Sequence, residues 1–216
     1  MNKDYFKIKD ECRQGLLTYL KKAFSFIPKE GDYRMLDIGC GTGVPTLFMA
    51  EHFSGDTTAL DTDKPALDFF RTKLIRSNLK NTISIQEISF FDFMVEKNGF
   101  DIILAEGLLN VIGFEKGFAK ALEFLKPGGY FIIHDEFKNH QSKVDFIAQQ
   151  NCTLIDSLYL DDTIWWKCYY EKLANQIDQV ATPKMLHYFK RDIAEIEYFK
   201  SNADAFRSVY YVVNRN

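Results

Sequence analysis

Leu36-Asp37-Ile38-Gly39-Cys40-Gly41-Thr42-Gly43 stands between a short apolar segment and a run with helical spacing, and its reading decides the fold. Three glycines at alternate positions let the chain turn where a Cβ would clash, and they let a ligand approach the backbone closely. The pattern is D-x-G-x-G-x-G, which differs from the dinucleotide fingerprint G-x-G-x-x-G. A loop built for pyrophosphate gains nothing from a carboxylate beside the phosphates. Asp37 therefore suits a ligand with an amine and a cationic centre better.

The segments on either side alternate between strand and helix. Residues 9–27 carry Leu16, Leu17, Leu20 and Phe24 at helical spacing and stop at Pro28. A strand at 33–38 leads into the glycine turn, and a helix at 44–53 follows with Pro45 in its first turn. Strands at 57–60, 82–87, 100–105 and 130–134 are interleaved with helices at 64–78 and 115–125. Such spacing predicts parallel βαβ units with right-handed crossovers, in a doubly wound α/β sheet. Lys126-Pro127-Gly128-Gly129 is expected to break the chain before the strand at 130–134. Beyond Asp135, a helix at 142–149, a strand at 153–160, a mostly helical stretch at 161–205 and a last strand at 207–213 complete a single domain over residues 1–216.

Met35-Leu36-Asp37-Ile38-Gly39-Cys40-Gly41-Thr42-Gly43 resembles the first motif of the class I S-adenosylmethionine (SAM) dependent methyltransferases. The run from Ala105-Glu106-Gly107 to Ile112-Gly113-Phe114-Glu115-Lys116-Gly117, followed by Leu125-Lys126-Pro127-Gly128-Gly129, is similar to the small-molecule (type 11) branch of that family. The resemblance covers about residues 10–180 and is strongest from 35 to 135. It implies a Rossmann-like, mostly parallel seven-stranded sheet whose last strand runs antiparallel between strands five and six. It also implies SAM as cofactor and methyl transfer to a small molecule. Nucleic-acid amino-methyltransferases carry Asn/Asp-Pro-Pro-aromatic after strand four, where this chain reads Ala105-Glu106-Gly107-Leu108, so a nucleic-acid acceptor is not expected.

Under that resemblance the candidate cofactor contacts in the loop are Asp37, Gly39, Cys40, Gly41 and Gly43. Asp61, 22 residues after Gly39, sits where a carboxylate accepts from both ribose hydroxyls, with Thr62 beside it. Asp61, Thr62 and Asp63 are also helix N-cap residue types. Ser89 stands where the family often places an acid near the adenine amino group. Phe90 is read either as a contact to the adenine ring or as core.

Glu106 and His134 are the candidate catalytic residues. Glu106 is placed to bind an amine, to remove a proton, or simply to hold its loop. His134 is a base, an orienting hydrogen bonder, or a strand-end polar residue. With His52, His140 and His187 it forms no recognisable ligand set, and no metal is expected. Trp165, Trp166, Tyr169 and Tyr170 share a broad helical face. That face either packs on the sheet or, with the helix at 9–27, forms a lid in which Trp165, Trp166 and Tyr169 meet the acceptor. The charges of Lys190-Arg191-Asp192 through Glu195-Ile196-Glu197 balance at helical spacing and read as a solvated helix face.

Bulk properties narrow the partners. The 216 residues suffice for one well-buried α/β domain. A net charge of −3 without a basic block speaks against nucleic acid. No apolar run could span a bilayer, and Met1 to Lys7 holds no apolar leader core. Cysteines at 12, 40, 152 and 168 lack C-x-x-C spacing and fit a reducing cytoplasm. The 20 phenylalanines fit a large core or an aromatic pocket. Two rival functions remain: a non-catalytic SAM-binding or partner-binding protein, and an NAD(P)-dependent Rossmann enzyme. Oligomeric state is not readable.

Overall fold

The computed structural model describes residues 3–80, 82–180 and 182–216. Met1, Asn2, Asn81 and Ala181 lie outside the described residues; the first two open the segment read as free of a leader, and Ala181 falls in the 161–205 insertion. Seven strands form one sheet: β1 (Asp32–Ile38), β2 (Ser54–Asp61), β3 (Ile83–Glu87), β4 (Phe100–Glu106), β5 (Leu125–Glu136), β6 (Cys152–Leu160) and β7 (Ser208–Arg215). Their spatial order is β3-β2-β1-β4-β5-β7-β6. The first five are parallel, and β7 runs antiparallel between β5 and β6.

Both faces of the central strands are buried, which explains why they read as continuous apolar runs rather than alternating ones. The pleat sends successive residues to opposite faces. Met35, Ile102, Ile132 and Tyr210 join Leu20 and Phe24 on one side. Leu36, Ile103, Ile133 and Tyr211 join Phe118 and Phe131 on the other. α2 (Leu17–Phe24) and α3 (Val44–His52) cover the first face; after α4 (Lys64–Leu74) and the short α5 (Leu109–Ile112), α6 (Phe114–Phe124) and α7 (His140–Ala148) cover the second.

Several local expectations are corrected. The helix expected at 9–27 starts earlier, as α1 (Lys3–Arg13), and a 3₁₀ turn at Gln14–Leu16 separates it from α2. The sequence 126–129 does not end the preceding segment before β5; it loops out of a continuing strand, since Phe100 pairs with Leu125 but Ile102 pairs with Tyr130. The aromatic run does not lie on a single α-helical face either. α8 (Asp162–Trp165) passes into a π-helical turn, Trp166–Tyr170, in which the Glu171 N–H reaches back to the Trp166 carbonyl. Trp165 stacks on His134, and Trp166 stacks on Phe199.

β6 runs parallel to β5, so the insertion emerges at the C-terminal edge of the sheet. It continues as α9 (Glu171–Asp178), α10 (Pro183–Leu186) and α11 (Lys190–Ser201). Its apolar residues Tyr170, Leu173, Ile177, Phe189, Ile196 and Phe199 gather with Cys12 of α1 in a cluster separate from the sheet core. Contact between the two parts requires Gly15: a Cβ there would overlap the carbonyl oxygen of Cys168 in the π turn. Gly15→Ala is expected to destabilise the protein by about 1–3 kcal/mol through overpacking against rigid backbone. Urea denaturation measures this; an unchanged midpoint would contradict the close approach.

Candidate cofactor and acceptor site

The C-terminal ends of β1, β2, β4 and β5 open onto one cleft, where ligands bind in doubly wound sheets. The glycine loop is pinned into it by its own backbone. The N–H groups of Gly39 and Cys40 both donate to the Leu60 carbonyl, at 2.8 and 3.0 Å. Gly39, Gly41 and Gly43 all have positive φ. A Cβ on Gly41 would meet nothing within 4 Å, so the loop presents bare backbone to open space there. Cys40 faces the other way, buried against α4 (Lys64–Leu74) with Leu67 and Phe70, and its thiol pKa is raised by burial.

Asp61 closes the loop. Its carboxylate accepts from the Gly41 N–H at 2.7 Å and the Asp63 N–H at 2.8 Å, while Asp63 caps α4 by accepting from the Ala66 N–H. The capping role thus falls to Asp63, and the Asp61 oxygens keep lone pairs for a ligand. Thr62 is exposed beside it. Ser89 accepts from the Phe91 N–H at 3.2 Å. Phe90 is buried in the sheet core, edge-on to Phe124 at 6.1 Å, as its core alternative expects.

Asp37 is 1% exposed and accepts from the buried Thr46 hydroxyl at 2.5 Å. Burial pushes its pKa up to about 7, and the nearby Glu106 and Asp61 carboxylates add to the rise. Thr46 and Arg13 oppose it.

Glu106 holds a three-part network. Arg13 of α1 donates to one oxygen at 2.9 Å, and the Tyr210 hydroxyl of β7 donates to the other at 2.5 Å. His134 stacks on Tyr210 with ring centroids 4.2 Å apart and on Trp165 at 5.7 Å. Ser208 joins the stack: its hydroxyl bonds His134 Nε2 at 2.8 Å and accepts from Trp165 Nε1 at 2.9 Å. Burial lowers the His134 pKa to about 4. The imidazole is therefore neutral at pH 7 and a weak base, and its geometry is that of an orienting group. Trp166 stacks on Phe199 at 5.7 Å and lines neither of the cavities described next.

Two cavities flank this network, and Arg13 borders both. The larger, about 660 Å³, lies between the glycine loop at Gly41 and Thr42, α1, and the insertion at Tyr169, Tyr188, Lys190 and Arg191. The smaller, about 400 Å³, is lined by Glu106, Asn110, His134, Glu136 and Trp165. α1 is tied down at three points. Asp10 accepts from Thr42 of the loop and from Lys73 of α4, both at 2.5 Å. Arg13 pairs with Glu106, and Lys9 pairs with the buried Asp192 of α11 at 2.6 Å.

Lys9, Asp10, Arg13, Ser208 and Tyr210 are absent from the sequence-based reading, Thr42 enters it only as part of the glycine motif, and Asp192, read there as solvated, is buried. For α1 a usable signal exists: Lys9, Asp10 and Arg13 interrupt a helix whose Phe6 and Cys12 are buried. Tyr210 gives none, lying within the apolar run 209–213 of β7.

The comparisons with known proteins agree with this geometry. A model of a methyltransferase-domain family matches residues 29–187, and the chain belongs to that family. It is similar to a demethylmenaquinone methyltransferase of Symbiobacterium thermophilum, 30% identical over 113 residues that cover 51% of this chain and 45% of the relative. It is 32% identical over 108 residues to an EEF1A lysine methyltransferase 2 of Danio rerio, covering 46% of each. The matched part spans about half or less of the curated relatives' length. In fold it is similar to a Haemonchus contortus phosphoethanolamine N-methyltransferase 2 solved with SAM, with a TM-score of 0.73, 18% identity, and coverage of 100% of this chain and 57% of that one. The sheet is that of the class I methyltransferases. No helix among the described residues is long and apolar enough to cross a membrane.

Asp37 gives this site a pH signature. Its folded pKa of about 7 exceeds the ordinary 3.8, so its contribution to stability is full below pH 3.8 and is lost as pH rises to about 7. Asp37→Asn removes that loss. Urea titrations at pH 5 and pH 8 should show the variant gaining stability relative to wild type at the higher pH; an equal difference at both would contradict a raised pKa.

Proposed function

We propose that this protein is a SAM-dependent methyltransferase acting on a small molecule. The observation that carries the reading is the charge arrangement around the glycine loop. Three carboxylates, Asp37, Asp61 and Glu106, gather there with one guanidinium, Arg13. SAM offers the complement: a ribose diol, a sulfonium, an ammonium and one carboxylate. Asp61 would take the diol, the bare backbone at Gly41 admits close approach, and Arg13 would take the carboxylate. A pyrophosphate dinucleotide would instead bring negative charge to a site rich in carboxyl groups, which disfavours the NAD(P) alternative.

When bound, SAM supplies an electrophilic methyl carbon: the acceptor lone pair forms the new bond as the carbon–sulfur bond breaks, and sulfur keeps that electron pair. The chain's part is to align the acceptor and exclude water, with α1 and the insertion serving as the lid. Among the described residues, no candidate group near the site stands ready as a base. Glu106 is engaged by Arg13 and Tyr210, His134 protonates only near pH 4, and burial pushes the pKa of Tyr169 up to about 12. The reading therefore favours an acceptor that is nucleophilic without help, its proton passing to solvent. The demethylmenaquinone relative supports a small acceptor. The four cysteines are free, which fits a cytoplasmic location.

Incubation with methyl-labelled SAM and a metabolite extract tests the function. Label in a small molecule above a heat-killed control is the expected result. Label in macromolecules alone would overturn the small-molecule assignment, and no transfer while a control enzyme works in the same extract would favour a binding-only role. Asp61→Ala should weaken SAM by about 1.5–3 kcal/mol, the range for a hydrogen bond to a charged group. Calorimetry reads that loss, and an unchanged Kd would remove Asp61 from the ribose.

A further inference from the structure

The charge balance expected along α11 is broken by the fold. Asp192, which in sequence neutralises Lys190 and Arg191, is turned inward and buried against Lys9. Lys190 and Arg191 are left with no carboxylate in ion-pair reach among the described residues, and both line the larger cavity. Residues 182–191 add Lys184 and His187 and contain no acid, in a chain whose net charge is −3. The cavity's other charges have partners or an assignment already: Lys9 pairs with Asp192, Asp10 with Lys73, Asp63 caps α4, and Arg13, paired with Glu106, is the group assigned to the cofactor's carboxylate. What remains unmatched is a basic wall beside Tyr5 and Tyr188, whose rings stand 6.3 Å apart.

We propose that the methyl acceptor is an anion, a carboxylate or phosphate ester carried on an apolar ring-bearing body, whose charge is held by Lys190 and Arg191 while the body lies against Tyr5 and Tyr188. This assignment rests on the reading of the cavity as the methyl-transfer site. Arginine forks onto either oxyanion, and lysine adds a point charge, so the two chemistries share one subsite. The cofactor's own carboxylate is assigned to Arg13, which pairs with Glu106 and acts electrostatically on Asp37 of the glycine loop.

Thermal denaturation with S-adenosylhomocysteine (SAH), phenyl phosphate, benzoate and benzyl alcohol separates the claims. At least one of the two anions should raise the Tm with dose, with or without SAH, and benzyl alcohol should not. Phenyl phosphate alone would identify a phosphate ester, and benzoate alone a carboxylate. In the Lys190→Glu/Arg191→Glu variant the anion shift should vanish while the SAH shift persists, which also shows that the variant is folded. A shift from neither anion, an equal shift from benzyl alcohol, or an anion shift retained in the variant would overturn the proposal. A missing SAH shift in wild type would count against the cofactor reading alone, since the anion arms without SAH read the subsite directly. As a second readout, label transferred from SAM to an extract split on an anion-exchange resin should appear in the retained fraction. Label confined to the unretained fraction would overturn the anionic acceptor but leave methyl transfer standing.

Discussion

Glu106 is the point on which the site turns. Its two oxygens take hydrogen bonds from α1 through Arg13 and from β7 through Tyr210, so one side chain at the end of β4 fixes the N-terminal helix, the last strand and the boundary between the cavities. A carboxylate buried without such partners would be costly, and breaking one side of the pair leaves the other charge stranded. The arrangement accounts for the N-terminal helix being part of the site although it stands before the first strand. It also gives Glu106, a candidate base, the further task of orienting the Arg13 guanidinium.

The same economy appears at Asp37. A carboxylate this deeply buried, with a hydroxyl for its partner and two other acids nearby, is poised near neutrality. A cationic ligand arriving beside it would draw the proton off, linking ligand binding to pH. The site thus holds more carboxyl groups than the loop's own hydrogen bonds use, an excess that a positively charged ligand would match. The insertion reverses the sign: its buried Asp192 faces Lys9, and its lysine and arginine face the cavity. One cleft therefore presents an acidic end at the glycine loop and a basic wall at the insertion.

Much of this was legible in the sequence because the determinants are local. The glycine loop, Asp61 and the alternation of strand and helix each occupy a few consecutive residues, and spacing alone places them. The order of β7 came only from the family resemblance. What stayed hidden depends on distant contacts: Arg13 and Tyr210 reach Glu106 across 93 and 104 residues of sequence. Phe90 could not be assigned because core and ligand pocket call for the same side chain. The aromatic run misled for a different reason, since a π turn shifts every later side chain and carries no sequence signature.

The central claim is that the acidic glycine-loop site selects a cationic nucleoside amino acid. Calorimetric titration of the protein with SAM and with NADH, near pH 7 and in two buffers of different ionisation enthalpy, tests it most directly. The account predicts saturable SAM binding with net proton release as Asp37 loses its proton, a release that Asp37→Asn abolishes, and no binding of NADH. NADH binding in place of SAM, or SAM binding without any proton release, would contradict it.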